Sequence, residues 1–209
     1  MNLICAKQNS GKRLAAVMKR RVRPGIAAAV EASVRRLTEW FTLAGLPDPQ
    51  IDVEVSGFQA DSRKLRPGEA FVAIAGASED GALYIADAIR KGAGAVIQQS
   101  GQHRGRNNHF DPNECAVVVE VENIRLAYAR LCAAMYSGQP EHLVAVTGTN
   151  GKTSVAEFYR QLWALEGYNA VSIGTLGLTR ADGSQDADWA SSNTSPSPDV
   201  LHQGLARIA

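Results

Sequence analysis

Val30, Val34, Leu37 and Phe41 recur at helical spacing through "AVEASVRRLTEWFTLAG", and Gly45 with Pro47 supplies a stop. The pattern predicts a helix over residues 29–45. Further on the period changes. "FVAIA" (71–75), "GAVIQ" (94–98) and "AVVVEV" (116–121) are short runs rich in valine and isoleucine, and they predict strands. Between the first two, Ile85, Ala88 and Ile89 of "YIADAIRKG" share one helix face, and Gly92 is a natural C-terminal stop. The polar, turn-rich stretch 100–114 reads as an exposed loop. In "NIRLAYARLCAAMYSGQP", Ile124, Ala127, Leu131 and Met135 line one face, and Gly138 and Pro140 end the helix. The strand–helix–strand rhythm implies an α/β unit. It restarts after Pro140 with a strand at 143–147, a helix at 153–166 stopped by Gly167, a strand at 170–173 and a last helical stretch, "DVLHQGLARIA".

This organisation divides the chain into a first α/β domain over 26–139 and a second over 140–209, preceded by a leader of residues 1–25. The whole chain has 209 residues, 45% hydrophobic and 21% charged, with a formal net charge of +1, which argues against a globally basic nucleic-acid binder. The leader differs: Lys7, Lys12, Arg13, Lys19, Arg20, Arg21 and Arg23 precede the first acid, Glu31. A targeting segment, a tether to an anionic surface and a dispensable, weakly ordered extension all fit such a stretch. The third is the favoured expectation, because charge interrupts any secretory apolar run and serine is scarce for a transit peptide. No stretch approaches the ~20 apolar residues of a transmembrane helix. The three cysteines form no C-x-x-C pair, and the four histidines lack metal-ligand spacing, so a disulfide framework or zinc site is not expected and a reducing cytoplasm fits. Cys132 falls in an apolar helical stretch and reads as a small buried hydrophobe.

The chemistry concentrates in "LVAVTGTNGKTSVAEF" (143–158). A β-rich stretch runs into a glycine-containing turn and then a helix, in the manner of a phosphate loop. Gly148 and Gly151 permit backbone angles that a β-carbon forbids. Successive amides of Gly148, Thr149, Asn150, Gly151 and Ser154 can then converge on phosphate oxygens, reinforced by the helix N-terminus. Lys152 supplies a mobile charge for the β- and γ-phosphates, and Thr153 a hydroxyl for the Mg²⁺ shell. The bland alternative is a glycine turn capping a helix. The usual G-x-x-x-x-G-K-[ST] loop has a first glycine where Val146 stands, which counts against a generic nucleoside triphosphatase.

"VTGTNGKTS" resembles the ATP loop of the Mur ligases, which add amino acids to the UDP-N-acetylmuramoyl peptide of cell-wall synthesis and use this short form. Folylpolyglutamate synthases and cyanophycin synthetases have related loops. "DSRKLRPGEAFVAIAG" followed by "EDGALYIADAIRKGAGAVI" resembles the N-terminal UDP-binding domain of the Mur ligases. "SSNTSPSPDVLHQGLARI" resembles a segment of their central domain. The combination, over about residues 50–209, points to the MurE branch. The fold implied is α/β: a small N-terminal UDP-binding α/β domain followed by the start of a P-loop-type parallel-sheet ATPase domain.

The resemblance implies an ATP-dependent amide-forming ligase of the cytoplasm, with ATP and Mg²⁺ as cofactors. Its partners are UDP-MurNAc-L-Ala-D-Glu and an amino acid, diaminopimelate or lysine. Lys152 becomes the charge clamp and Thr153 the metal ligand. By the same resemblance Ala60, Ser62, Ala77, Ser78, Glu79, Asn193, Thr194 and Ser195 contact the UDP-MurNAc dipeptide. Ala77 stands where many relatives have histidine and Ala82 replaces another, which leaves backbone contact only at Ala77. Other readings of these residues stand beside this one: a plain Asx or Ser turn for Asp61–Ser62, an internally paired or solvated Arg63, and a helix cap for 193–197. "GTLG" (174–177) reads as structural or as substrate-loop backbone. Family members carry a carbamylated lysine, further metal ligands and a C-terminal domain that these residues do not include, so the 209 residues are expected to have no ligase turnover alone. Two rival classes are a UDP-sugar-binding module without catalysis and a P-loop phosphotransferase of other specificity.

Overall fold

The computed structural model describes residues 2–8, 34–76, 80–101, 117–186, 189 and 196–209. In chain order the elements are β1 (Asn2–Gln8), β2 (Arg35–Arg36), α1 (Leu37–Leu43), β3 (Glu54–Val55), β4 (Phe58–Gln59), β5 (Ala70–Val72), α2 (Ile85–Arg90), β6 (Ala95–Gln99), β7 (Val117–Val121), α3 (Ile124–Met135), β8 (His142–Val146), α4 (Lys152–Leu165), β9 (Tyr168–Gly174), β10 (Gly177–Thr179) and α5 (Pro198–Ile208). They form two units, Ala29–Tyr136 and Met1–Ala28 with Ser137–Ala209.

The unit Ala29–Tyr136 is built on a parallel sheet in the order β4-β5-β6-β7. Its strands are apolar on both faces because helices cover both. Ala70, Val72, Ala95 and Ile97 face one core with Leu37, Trp40 and Phe41 of α1 and Ile124, Tyr128 and Leu131 of α3. Phe71, Ala73 and Val96 face the other with Ile85 and Ala88 of α2. Each large side chain buried this way contributes roughly 1.5–3 kcal/mol. Helix α3 starts where Asn123 accepts the amide of Leu126, an N-cap that the run "ENIRLAY" provides. Residues 29–33 of the helix expected over 29–45 lie outside the described residues. The rest is shorter than expected: Arg35–Arg36 pair with β3, Val34 is exposed, and the helix begins at Leu37. Strand pairing and burial of Val55 override the local periodicity there.

In the other unit the sheet order is β10-β9-β1-β8. Strands β8 and β9 both run antiparallel to β1, so they run parallel to each other, as a strand–helix–strand unit requires, with β1 between them. The expected leader of residues 1–25 thus begins with a central strand, whose Leu3, Ile4, Cys5 and Ala6 are buried. Residues 9–25 lie outside the described residues. Leu3 and Cys5 face Val171, Ile173 and Leu178, along with Trp189 and Leu205 of α5. On the opposite face, α4 packs through Ala156 and Arg160, while Val155, Phe158, Leu162 and Leu165 are exposed. Cys5 and Cys132 are buried and form no disulfide among the described residues, in keeping with the reading of Cys132 as a hydrophobe, and burial pushes the Cys5 thiol up to about 12. Cys115 lies outside the described residues.

Candidate functional site

The glycine loop sits between β8 and α4. β8 ends at Val146, residues 147–151 are exposed, and α4 starts at Lys152. Gly151 closes the loop with φ of 77°, and Gly148 has φ of 144°. A β-carbon at Gly151 would meet nothing within 4 Å, so the positive φ rather than crowding calls for glycine there. With Gly151 as the N-cap, α4 directs its first unpaired amides into the loop. The Lys152 ammonium folds back over the loop and donates to the carbonyls of Gly148 at 2.7 Å and Thr149 at 3.2 Å. The Thr153 hydroxyl accepts from Asn2 Nδ2 at 3.2 Å and lies 3.1 Å from the Thr175 hydroxyl. Lys152, Thr153 and the loop backbone of 148–151 therefore lie together at the carboxyl end of β8. Asn193, Thr194 and Ser195 lie outside the described residues. Helix α5 follows Ser197, whose side chain makes no cap hydrogen bond.

One turn after Thr153, Glu157 anchors α4 to the sheet. Its carboxylate accepts the hydroxyl of Ser172 and both Nε and Nη2 of Arg160, at 3.0 and 2.9 Å. Arg160 is buried, and its Nη1 donates to the carbonyls of Arg180 at 2.8 Å and Ala181 at 3.1 Å. Sequence reasoning missed this pair. Its signal is an acid and a base at i,i+3 in the middle of the helix. It missed Asn2 as well, for which a lone asparagine near the start of the chain offers no pattern. A cavity of about 310 Å³ lies on the other face of this sheet, lined by Val171, Leu178, Arg180, Trp189, Gly204 and Arg207, and it takes in none of the loop residues.

In the unit Ala29–Tyr136 the described members of the expected substrate set, Ala60 and Ser62, follow β4, whose carboxyl end is the end where parallel sheets form ligand crevices. Ala60 is half-buried and packs on the main core. Ser62 is buried, and its carbonyl receives the Lys91 ammonium at 2.8 Å. Arg63 is paired internally: its Nε and Nη2 each lie 2.9 Å from the Asp61 carboxylate, which also accepts the Arg63 amide at 3.0 Å. Those hydrogen bonds hold the Asp61 carboxyl below the usual carboxylate range. Ala77, Ser78 and Glu79 lie outside the described residues, but the loop's two ends are fixed. Ala75 bridges to Asp80, Asp80 accepts the amide of Ala82 at 3.0 Å, and a β-carbon on Gly81 would lie 2.5 Å from the Ile74 carbonyl. Arg125, at the start of α3, donates to the Ala75 carbonyl at 2.5 Å. Arg125 places a cation at this end of the sheet, where an anionic ligand could be met, while Lys91, at the C-cap of α2 and just before β6, reaches the Ser62 carbonyl from the other end. Neither belongs to a motif, and only the fold reveals them.

Two family descriptions match, one within each unit: Mur ligase family, catalytic domain, over residues 54–136, and Mur ligase middle domain, over 146–209. The UDP-N-acetylmuramoyl-L-alanyl-D-glutamate–2,6-diaminopimelate ligase of Rhizobium meliloti (strain 1021) is 44% identical over 167 residues, covering 79% of this chain and 32% of that protein. The protein of the same name from Mesorhizobium japonicum is 45% identical over 158 residues, covering 76% of this chain and 30% of that protein. Among solved structures, MurF ligase from Thermotoga maritima in complex with ADP is 31% identical, covering 51% of this chain and 23% of that one with a TM-score of 0.35. The chain thus spans about a third of the length of the curated relatives it matches. With a matching domain in each of its two units, this chain belongs to the Mur ligase family.

Proposed function

We propose that this chain carries the UDP-sugar-binding and phosphate-binding parts of a cytoplasmic, ATP-dependent ligase that adds the third amino acid to UDP-MurNAc-L-Ala-D-Glu. The observation that supports it best is the loop itself: Gly148 and Gly151 at positive φ, Lys152 folded over the loop and Thr153 in the first turn of α4. In the proposed reaction the γ-phosphoryl group of ATP goes to the D-Glu carboxylate, giving an acyl phosphate. The amine of diaminopimelate, the amino acid in the relatives' name, attacks its carbonyl carbon; phosphate leaves and an amide remains.

The obstacle is a carboxylate approaching a polyanion. Lys152 reduces that repulsion by moving from the loop carbonyls to the phosphate oxygens, and the loop amides hold those oxygens in a fixed geometry. Magnesium, when bound, screens the same phosphate charge. The Thr153 hydroxyl fits that ion, since magnesium takes hard oxygen donors and its neighbours Thr175 and Asn2 bring no soft ligand. In the first unit, the carboxyl ends of β4 and β5 with Arg125 would receive the UDP moiety.

The test is calorimetric titration of ADP and, separately, UDP-MurNAc-L-Ala-D-Glu into the 209-residue chain and its Lys152→Ala variant. Loss of the ammonium should weaken ADP binding by roughly 10- to 100-fold, the range for a charged hydrogen bond. Binding of the UDP-sugar peptide should persist. ADP binding that does not change in Lys152→Ala refutes the loop assignment, and nucleotide hydrolysis with no muramoyl requirement favours a different P-loop activity.

A further inference from the structure

A threonine hydroxyl offers three directions beyond its bond to Cβ: its own proton and two lone pairs. At Thr153 two neighbours meet that hydroxyl. Asn2 Nδ2 donates to it at 3.2 Å, and the Thr175 hydroxyl, free to donate or accept, lies 3.1 Å away. Resting on the phosphate-loop reading above, we infer that Asn2 and Thr175 are positioning residues that occupy two of these directions and leave one lone pair of Thr153 for the hard cation that accompanies the nucleotide. With Asn2 on one lone pair and the cation on the other, the Thr153 proton goes to Thr175. If the amide is turned over, the proton goes to Asn2 and Thr175 donates instead. One lone pair remains in both arrangements. Without these partners, a threonine in a helix tends to donate to a carbonyl three or four residues back, which would turn its oxygen elsewhere.

The surroundings hold Asn2 in place. It is 1% exposed, opposite Val146 at the end of β8, and its amide lies against Gly174. A β-carbon on Gly174 would fall 2.6 Å from Asn2 Cγ, so only glycine leaves room for the amide. Because β1 runs antiparallel to β8 and β9, its first residues arrive at the carboxyl ends of both strands. The strand, the glycine and Thr175 in "GTLG" thereby converge on one hydroxyl.

The experiment titrates ADP, with and without Mg²⁺, into the 209-residue chain and its Thr175→Val and Thr175→Ser variants. Thr175 is exposed, and valine keeps its shape. Thr175→Val should cut the gain in ADP affinity that Mg²⁺ brings by roughly tenfold, the scale of one hydrogen bond, and leave the metal-free affinity within about twofold. Serine, which restores the hydroxyl, should restore the gain. A gain that is the same in wild type and Thr175→Val overturns the inference, as do metal-free and metal-bound affinities falling together. If the wild-type chain binds no ADP, the phosphate-loop reading fails and takes this inference with it, so the two failures are told apart.

Discussion

Arg160 is the side chain whose loss should cost the unit around β1 the most for the least change in volume. In Arg160→Met the apolar stem is kept and four hydrogen bonds go: two to Glu157 and one each to the carbonyls of Arg180 and Ala181. Breaking one partner of a buried pair costs about 3–5 kcal/mol because the other charge is left uncompensated. The Glu157 side chain is 20% exposed and keeps the Ser172 hydroxyl, which places the loss at the lower end, about 3 kcal/mol. That is a factor of roughly 150 in the opening equilibrium. Amide hydrogen exchange followed by mass spectrometry reads the two units separately. Exchange in α4, β9 and β10 should speed up by about 100-fold, with β5, β6 and α3 unchanged. Acceleration below about fivefold would mean that solvent already screens the pair and that the buried-charge reasoning is wrong. Equal acceleration in both units would mean that Arg160 acts globally.

Gly204→Ala tests the packing of α5, because a β-carbon there would sit 1.5 Å from Trp189 Cη2. Overpacking of this kind costs about 1–3 kcal/mol, which denaturant unfolding monitored by Trp189 fluorescence, with Trp40 and Trp163 replaced by Phe in both proteins, should show as a lower midpoint. Cys5 supplies a pH test. Its thiol pKa is about 12 in the folded chain because burial disfavours the thiolate. The unfolded thiol ionises near ~8.5. The stability it contributes is thus full below that value and is lost as pH rises toward the folded one. Denaturant midpoints between pH 7 and 10 should fall less in Cys5→Ala than in wild type, and iodoacetamide should modify Cys5 only after unfolding.

In the unit Ala29–Tyr136, β5, β6 and β7 were legible because their runs between turn residues are apolar, as both faces of a parallel sheet require, whereas the two-residue strands β3 and β4 carry no such run. Helix α3 was legible too, with its face readable at Ile124, Ala127 and Leu131. The loop was legible because Gly148, Gly151, Lys152 and Thr153 are local. β1 was not. Its partners lie more than a hundred residues away in β8 and β9, and "NLICAKQ" runs into a basic stretch that suggested an appendage. The strand at Arg35–Arg36 was hidden for a related reason: its pairing with Glu54–Val55 competes with an apparent helical period. Asn2 and Thr175 gain meaning only when the sheet brings them to Thr153, and Arg63 shows the reverse, since its partner Asp61 lies two residues away.

The placement of β1 also sets an order of assembly. Ala29–Tyr136 is continuous in the chain, and its sheet can close once Val121 and α3 have left the ribosome. Asn2–Gln8 emerge before that unit, yet both of their neighbouring strands come after residue 141. Until residue 142 is made this segment, with its apolar Leu3, Ile4, Cys5 and Ala6, has no partner strand and is a ready substrate for a chaperone. It reaches its place only when the strand after the glycine loop arrives, so a segment made early is captured by one made more than a hundred residues later.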